Sequence, residues 1–328
     1  MEERATTTTT EGDAVKAFVL RPNGGPTVLD RPAPRPRPGE VLVRTTAALV
    51  CAWDGHTRSA RDAGPGAARA AGAGSAATVL GHEAVGVVRA VGEGVPGSYL
   101  GRRVAAEGQG RLAEYFRVPA VGAGLVPLPD TITDHQALYA AGALATGFAA
   151  AEEAGAPAGG SIAVFGQGSV GLSATVAAGR LRGARVIAVE PDTKRQLLAL
   201  RFGADVVVDP AYEDSAERIL ELTGGAGADC AVLATAAPGA ARAARRGTAP
   251  GGRVIQARCR ATGGPHGAPA GERLARMLDL IGGGLLDPTV MTTHEFPFTR
   301  VEEAFRRLSA REPGMVKPLI HFPRRSPS

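Results

Sequence analysis

The chain has 328 residues, 44% of them hydrophobic and 21% charged, with a formal net charge of +5. That length exceeds one comfortable hydrophobic core and points to two domains, while the composition is that of a soluble globular protein. No apolar run approaches the roughly 20 residues of a membrane span, and with 4% aromatics and scattered arginines there is no basic–aromatic interleaving of a nucleic-acid surface.

Residues 1–12 carry acids and the Thr6–Thr10 run without an apolar core, so they read as a disordered tail and not as a secretory signal. Strands are predicted at Ala14 to Leu20, Glu40 to Val50 and Ala84 to Val91, with the proline-punctuated Arg31 to Pro38 between the first two. The Ala/Gly/Arg stretch Thr57 to Ala77 reads as a surface loop. From about Gln136 helices and strands alternate: strands at Ser161–Phe165, Val186–Val189, Val206–Val208, Ala228–Ala234 and Arg253–Ala257, and helices at Asp192–Phe202, Ser215–Thr223, Gly239–Arg246 and Gly271–Gly282. This is the βαβ rhythm of a doubly wound parallel sheet. A β-like Val290 to Phe296 and the amphipathic Val301 to Leu308 close the chain. Three cysteines at irregular positions, Cys51, Cys230 and Cys259, give no disulfide framework and suit a reducing cytoplasm.

Gly166-Gln167-Gly168-Ser169-Val170-Gly171 sits between a predicted strand and a predicted helix, with Glu190 closing the next strand. In that context it is a dinucleotide fingerprint. Gly166 permits the tight turn, Gly168 lets the backbone approach a pyrophosphate, and Gly171 allows close helix–strand packing. The N–H groups that open the helix, from Ser169 and Val170, then face the phosphates. A carboxylate at Glu190 accepts hydrogen bonds from the adenosine ribose and repels a 2′-phosphate, which favours NAD(H) over NADP(H). Lys194 and Arg195 follow and could soften that repulsion.

The first half carries Cys51-Ala52-Trp53-Asp54-Gly55-His56 and Gly81-His82-Glu83-Ala84-Val85-Gly86. Thiolate and imidazole are good zinc ligands, yet two such residues this far apart could equally be a buried cysteine and a core histidine. These stretches, with Ala113-Glu114-Tyr115, Thr146-Gly147-Phe148, the fingerprint, Pro250-Gly251-Gly252-Arg253-Val254 and the closing His294 to Leu308 segment, resemble the zinc-type alcohol and polyol dehydrogenases of the medium-chain dehydrogenase/reductase superfamily. The resemblance runs from about residue 13 to the end. It implies an α/β fold with a β-rich GroES-like catalytic domain over residues 13–135, a Rossmann NAD-binding domain over 136–286, and a return to the catalytic domain over 287–328.

By the same resemblance Cys51 and His82 would ligate catalytic zinc, with Glu83 beside the metal. Thr146 would pack under the nicotinamide, and Arg195 would lie near the adenosine ribose. The departures are equally specific. The usual third-ligand position is Gly142, the hydroxyl of the proton relay is replaced by Trp53, and the four-cysteine structural zinc lobe is missing between Arg103-Val104 and Ala113-Glu114-Tyr115. His56 matches the outer histidine of the relay, and Asp54 is kept. Indole only donates, so Trp53 cannot pass a proton on and instead adds apolar bulk. A carboxylate could complete a two-ligand site, Glu83 first, then Glu107 or Glu152.

Two readings therefore stand. In one, the chain is an NAD(H)-dependent alcohol/ketone oxidoreductase with an altered zinc site or none, using His56 or water for the proton. In the other it is a zinc-independent reductase of a C=C or C=N bond, with His56, Tyr115 or Glu83 donating. A third, from another class, is a non-catalytic nucleotide-binding protein. The expected partners are a small-molecule substrate and further copies of the chain as homodimer or homotetramer. Cys230 reads as core and Cys259 as a neighbour of the nicotinamide. His135, His266, His294 and His321 are given no chemistry.

Overall fold

The computed structural model describes residues 14–21, 24–51, 77–120, 124–257 and 269–323. The predicted tail, Trp53, Asp54 and His56, the loop from Thr57 up to residue 76, Cys259 and His266 lie outside the described residues. The described chain forms two compact units, Met1–Ala141 with Pro269–Asp279 and Thr292–Ser328, and Gly142–Ala268 with Leu280–Met291. Among the described residues, no helix is long and apolar enough to cross a membrane.

The first unit opens with β1 (Ala14–Leu20), β2 (Pro26–Pro32), β3 (Glu40–Leu49) and the two-residue β4 (Thr78–Val79). It continues with β5 (Glu83–Val91), β6 (Arg103–Glu107), β7 (Tyr115–Pro119) and β8 (Leu125–Pro127). β2 is a strand that the proline-rich sequence did not suggest. It pairs antiparallel with β1 at the margin of a three-stranded sheet, where a residue without an N–H is tolerated.

The second unit holds β9 (Ser161–Phe165), β10 (Arg185–Val189), β11 (Val206–Val208), β12 (Ala228–Leu233) and β13 (Thr248–Gln256). All pair in parallel, in the order β11-β10-β9-β12-β13. Strands such as Ile162-Ala163-Val164-Phe165 and Val186-Ile187-Ala188-Val189 are buried without alternation, as a sheet covered on both faces requires. β13 starts five residues earlier than the sequence suggested, taking in the Pro250-Gly251-Gly252 stretch. The crossover helices are capped by side chains: Asp192 accepts from the N–H of Arg195, and Asp214 from those of Ala216 and Glu217. The chain order reverses at β9, so the crevice between β9 and β12, beyond their carboxyl ends, is the ligand position of such sheets.

After Thr292 the chain returns to the first unit through β14 (Thr292–Pro297), the helix Val301–Ser309 and β15 (Lys317–His321). β15 adds antiparallel to β3, giving the larger sheet β14-β15-β3-β5-β6-β8 with β7 also on β3. Its core joins early and late residues. Phe18 meets Phe305 edge-to-face with centroids 5.6 Å apart, and Phe298 stacks on Phe322 at 4.4 Å.

Candidate active site

In the second unit the fingerprint occupies the turn from β9 into the helix Ser169–Val176. A Cβ on Gly171 would lie 1.8 Å from the carbonyl oxygen of Gly166, so only glycine lets helix and turn approach this closely. Above Gly168 the space is open. No side chain caps this helix, which leaves the amides of its first turn, including those of Ser169 and Val170, for a ligand. The Gln167 side chain is fully buried; it donates to the Val164 carbonyl and accepts from the Thr175 hydroxyl, fixing the turn from below.

Glu190, just past β10, is buried and held at both oxygens. It accepts from the Gln167 N–H at 2.5 Å and the Asp192 N–H at 3.1 Å. A carboxylate held by backbone amides inside the fingerprint turn is a fixed negative charge with lone pairs left for further donors. Arg195 stands in the first turn of the next helix, and Thr146 in the helix Ala145–Ala154. Gly142 is buried in a wide helical turn and offers no ligand atom.

The first unit brings Cys51, His82 and Glu83 together. Cys51 follows β3, and Glu83 opens β5 with His82 just before it. Because β3 and β5 pair antiparallel with Leu49 opposite Glu83, the end of one strand meets the start of the other. The thiol, imidazole and carboxylate donor atoms all lie within 4.8 Å of one another. His82 is 4% exposed and Glu83 1%.

Donor atoms around a tetrahedral zinc are separated by about 3.5 Å, given bonds of about 2.0–2.3 Å. The trio therefore needs contraction by about 1 Å, within the reach of side-chain rotations. Three protein ligands of these types with an open fourth position make the donor set of a catalytic zinc site, and the residues present fit that metal.

Two further residues stand at this cluster, one that the sequence did not suggest and one that it offered as a ligand. The first is Lys317, in β15, whose ammonium pairs with Glu83 while only 2% exposed. The signal was a single cation inside the apolar Met315-Val316-Lys317-Pro318-Leu319-Ile320 run, in a chain whose other lysines are Lys16 and Lys194. The second is Glu107, directly opposite Glu83 in the β5–β6 register and so on the same sheet face. It does not join the trio; it accepts from Arg273 Nη2 at 2.9 Å. Burial raises its carboxyl above the usual range, against the pull of Arg273 and His82.

Other expected candidates lie elsewhere. Tyr115 is on β7 opposite Arg44, and Glu152 is in a helix of the second unit. Cys230 is buried in β12, where burial pushes its thiol up to about 11, so it is a core residue. His135 has a partner that its sequence context did not reveal. Its Nε2 lies 2.6 Å from the Thr292 hydroxyl, which also bonds the buried Tyr139 hydroxyl at 2.5 Å.

Two family models match the chain: an alcohol dehydrogenase GroES-like domain over residues 37–130 and a zinc-binding dehydrogenase over residues 169–267. The chain is 28% identical to an alcohol dehydrogenase of Cupriavidus necator, over 92% of this chain and 97% of that one. It is 27% identical to an NADP-dependent isopropanol dehydrogenase of Thermoanaerobacter brockii, over 93% and 99%. Among solved structures, the 2R,3R-butanediol dehydrogenase of Bacillus subtilis matches with a TM-score of 0.75 at 25% identity, covering 94% of this chain and all of that one. With a GroES-like domain and a zinc-binding dehydrogenase domain matched in one chain, this protein belongs to the zinc-type medium-chain dehydrogenase/reductase superfamily, as an alcohol dehydrogenase-like oxidoreductase.

Proposed function

We propose that the chain is an NAD(H)-dependent oxidoreductase that moves a hydride between nicotinamide and a small alcohol or ketone, with Cys51, His82 and Glu83 as its metal-binding set. The observation that carries this reading is the approach of three donors of the right chemistry within 4.8 Å, where two interior strands, β3 and β5, end and begin side by side. Zinc bound there supplies Lewis-acid polarisation of the substrate oxygen. The chain's own residues do the rest. Lys317 holds the Glu83 carboxylate in place, and the fingerprint amides of Ser169 and Val170 bind the pyrophosphate.

The anchored carboxylate of Glu190 supports NAD(H) over NADP(H), because a 2′-phosphate would meet a fixed negative charge in a buried setting. Arg195 faces the adenosine side in this reading, and Thr146 the nicotinamide. His56 or water takes the proton in place of the relay hydroxyl that Trp53 displaces. Three cysteines at irregular positions suit a cytoplasmic enzyme, and we take it to be a homodimer or homotetramer.

A second reading, reduction of a C=C or C=N bond without metal, is favoured by one feature: Glu83 already has a cation in Lys317. Elemental analysis of wild type and Cys51→Ser, alongside NADH-dependent turnover of alcohol, ketone and enone panels, separates the two. Stoichiometric zinc, lost together with activity in the variant, supports the metal site. An active, zinc-free protein unaffected by the substitution selects the second reading.

A further inference from the structure

The connection from β6 to β7 carries Arg111, a guanidinium only 6% exposed and, among the described residues, without a carboxylate partner. Burial pushes it down to about 10, so it is still charged at neutral pH. Burying an uncompensated cation is costly, and the surroundings show what offsets it. Its Nη2 donates to the Glu107 carbonyl at the end of β6, at 3.1 Å. Its Nη1 donates to the Arg117 carbonyl in β7, at 2.9 Å. The guanidinium carbon lies 4.5 Å from the ring centroid of Phe116. One planar group thus ties the end of β6 to two successive residues of β7.

The same turn grips the backbone that leads into the site. The Arg111 N–H donates to the Gly81 carbonyl at 3.1 Å, the Leu112 N–H donates to the Leu80 carbonyl at 2.9 Å, and the Leu112 carbonyl accepts from Phe18 at 2.8 Å. Gly81 has φ +86°, and a Cβ there would lie 2.5 Å from Leu112 Cγ and 2.8 Å from its nitrogen. The chain therefore turns sharply against residues 111–112 immediately before His82 and Glu83.

We propose that Arg111 is the positioning residue of the Cys51–His82–Glu83 site: its guanidinium clamps the β6–β7 turn, and the clamped turn sets the backbone angle from which His82 and Glu83 reach Cys51. This rests on the metal-site reading of those residues. It makes an arginine the organiser of a turn where the family resemblance leads one to expect a metal-bound lobe. A lysine cannot replace it, since an ammonium lacks the planar fork that reaches both carbonyls from two nitrogens while lying against the ring.

The test uses the full chain as Arg111→Lys and Arg111→Met, each checked for wild-type far-UV circular dichroism and NADH affinity. Cobalt(II) titration reads the site through its thiolate charge-transfer and ligand-field bands. Folded variants that bind NADH normally, bind cobalt about 10–100-fold more weakly and show altered bands support the clamp. Wild-type cobalt affinity and spectrum in folded Arg111→Lys overturn it. If Arg111→Met does not fold, Arg111→Lys alone decides.

If wild type takes up no cobalt, the metal reading fails, and the clamp is then read in the apoprotein from the rate of Cys51 alkylation at one fixed pH. A turn that sets the backbone before His82 and Glu83 fixes what packs beside the thiol, so Arg111→Lys must change that rate; equal rates overturn the clamp.

Discussion

Replacing Lys317 with methionine keeps the apolar stem and removes only the ammonium, so the buried Glu83 carboxylate loses the Lys317 charge. The side chains of the pair are 3% and 1% exposed, so solvent screening is slight. Removing one partner of such a buried pair costs about 3–5 kcal/mol. For a unit of this size that is a fall in melting temperature on the order of 10 °C. Zinc sharpens the expectation, because a metal on Glu83 substitutes for the lost charge. At about 1,000 times its dissociation constant, a ligand stabilises the folded state by about 4 kcal/mol. Scanning calorimetry and urea melts of wild type, Lys317→Met, Glu83→Gln and the double variant, with chelator and with zinc, measure both effects. The expected result is a large deficit for Lys317→Met in chelator, mostly recovered by zinc, and a double variant more stable than Lys317→Met alone. A Lys317→Met protein within 1 kcal/mol of wild type in chelator refutes the pairing argument.

Three further outcomes are expected. Glu190→Gln should raise the KM for NADH about tenfold, through loss of charge-assisted hydrogen bonds, and narrow its preference over NADPH; steady-state kinetics with both cofactors measure this, and an unchanged ratio contradicts it. Gly171→Ala forces a Cβ toward the Gly166 carbonyl, so NADH titration should show binding lost and thermal melts a loss of about 1–3 kcal/mol or more. The Cys230 thiol is raised to about 11 from an ordinary value of 9.0, so the folded chain keeps a proton that the unfolded chain releases between those pH values. That contribution is fully present below pH 9 and is lost as pH rises through 11. Urea melts of wild type minus Cys230→Ala across that window should show it, and a pH-independent difference counts against it.

The parallel-sheet unit was legible because its signals are local: short apolar strands, a glycine turn, then an acid at the next strand end. Each of these follows from backbone sterics and burial within about thirty residues. The same holds for the strands over Glu40–Leu49 and Glu83–Val91, whose valine runs need no distant partner to be recognised. β2 escaped because its prolines read as a loop until β1 supplied an edge for it to pair with.

By itself, then, the sequence determined the architecture and the glycine turn after β9, since those depend on periodicity and on glycine, and it supplied the residue types proposed for the site. Tertiary structure decided which charges meet. Lys317 comes to Glu83 because β15 returns antiparallel to β3, and Arg273 comes to Glu107 from a helix far along the chain. Arg111 finds two carbonyls and a ring in place of a carboxylate because the turn between β6 and β7 folds back on Gly81. Electrostatic partners depend on distance in space and on exclusion of water, and neither is encoded in the spacing of residues along a chain.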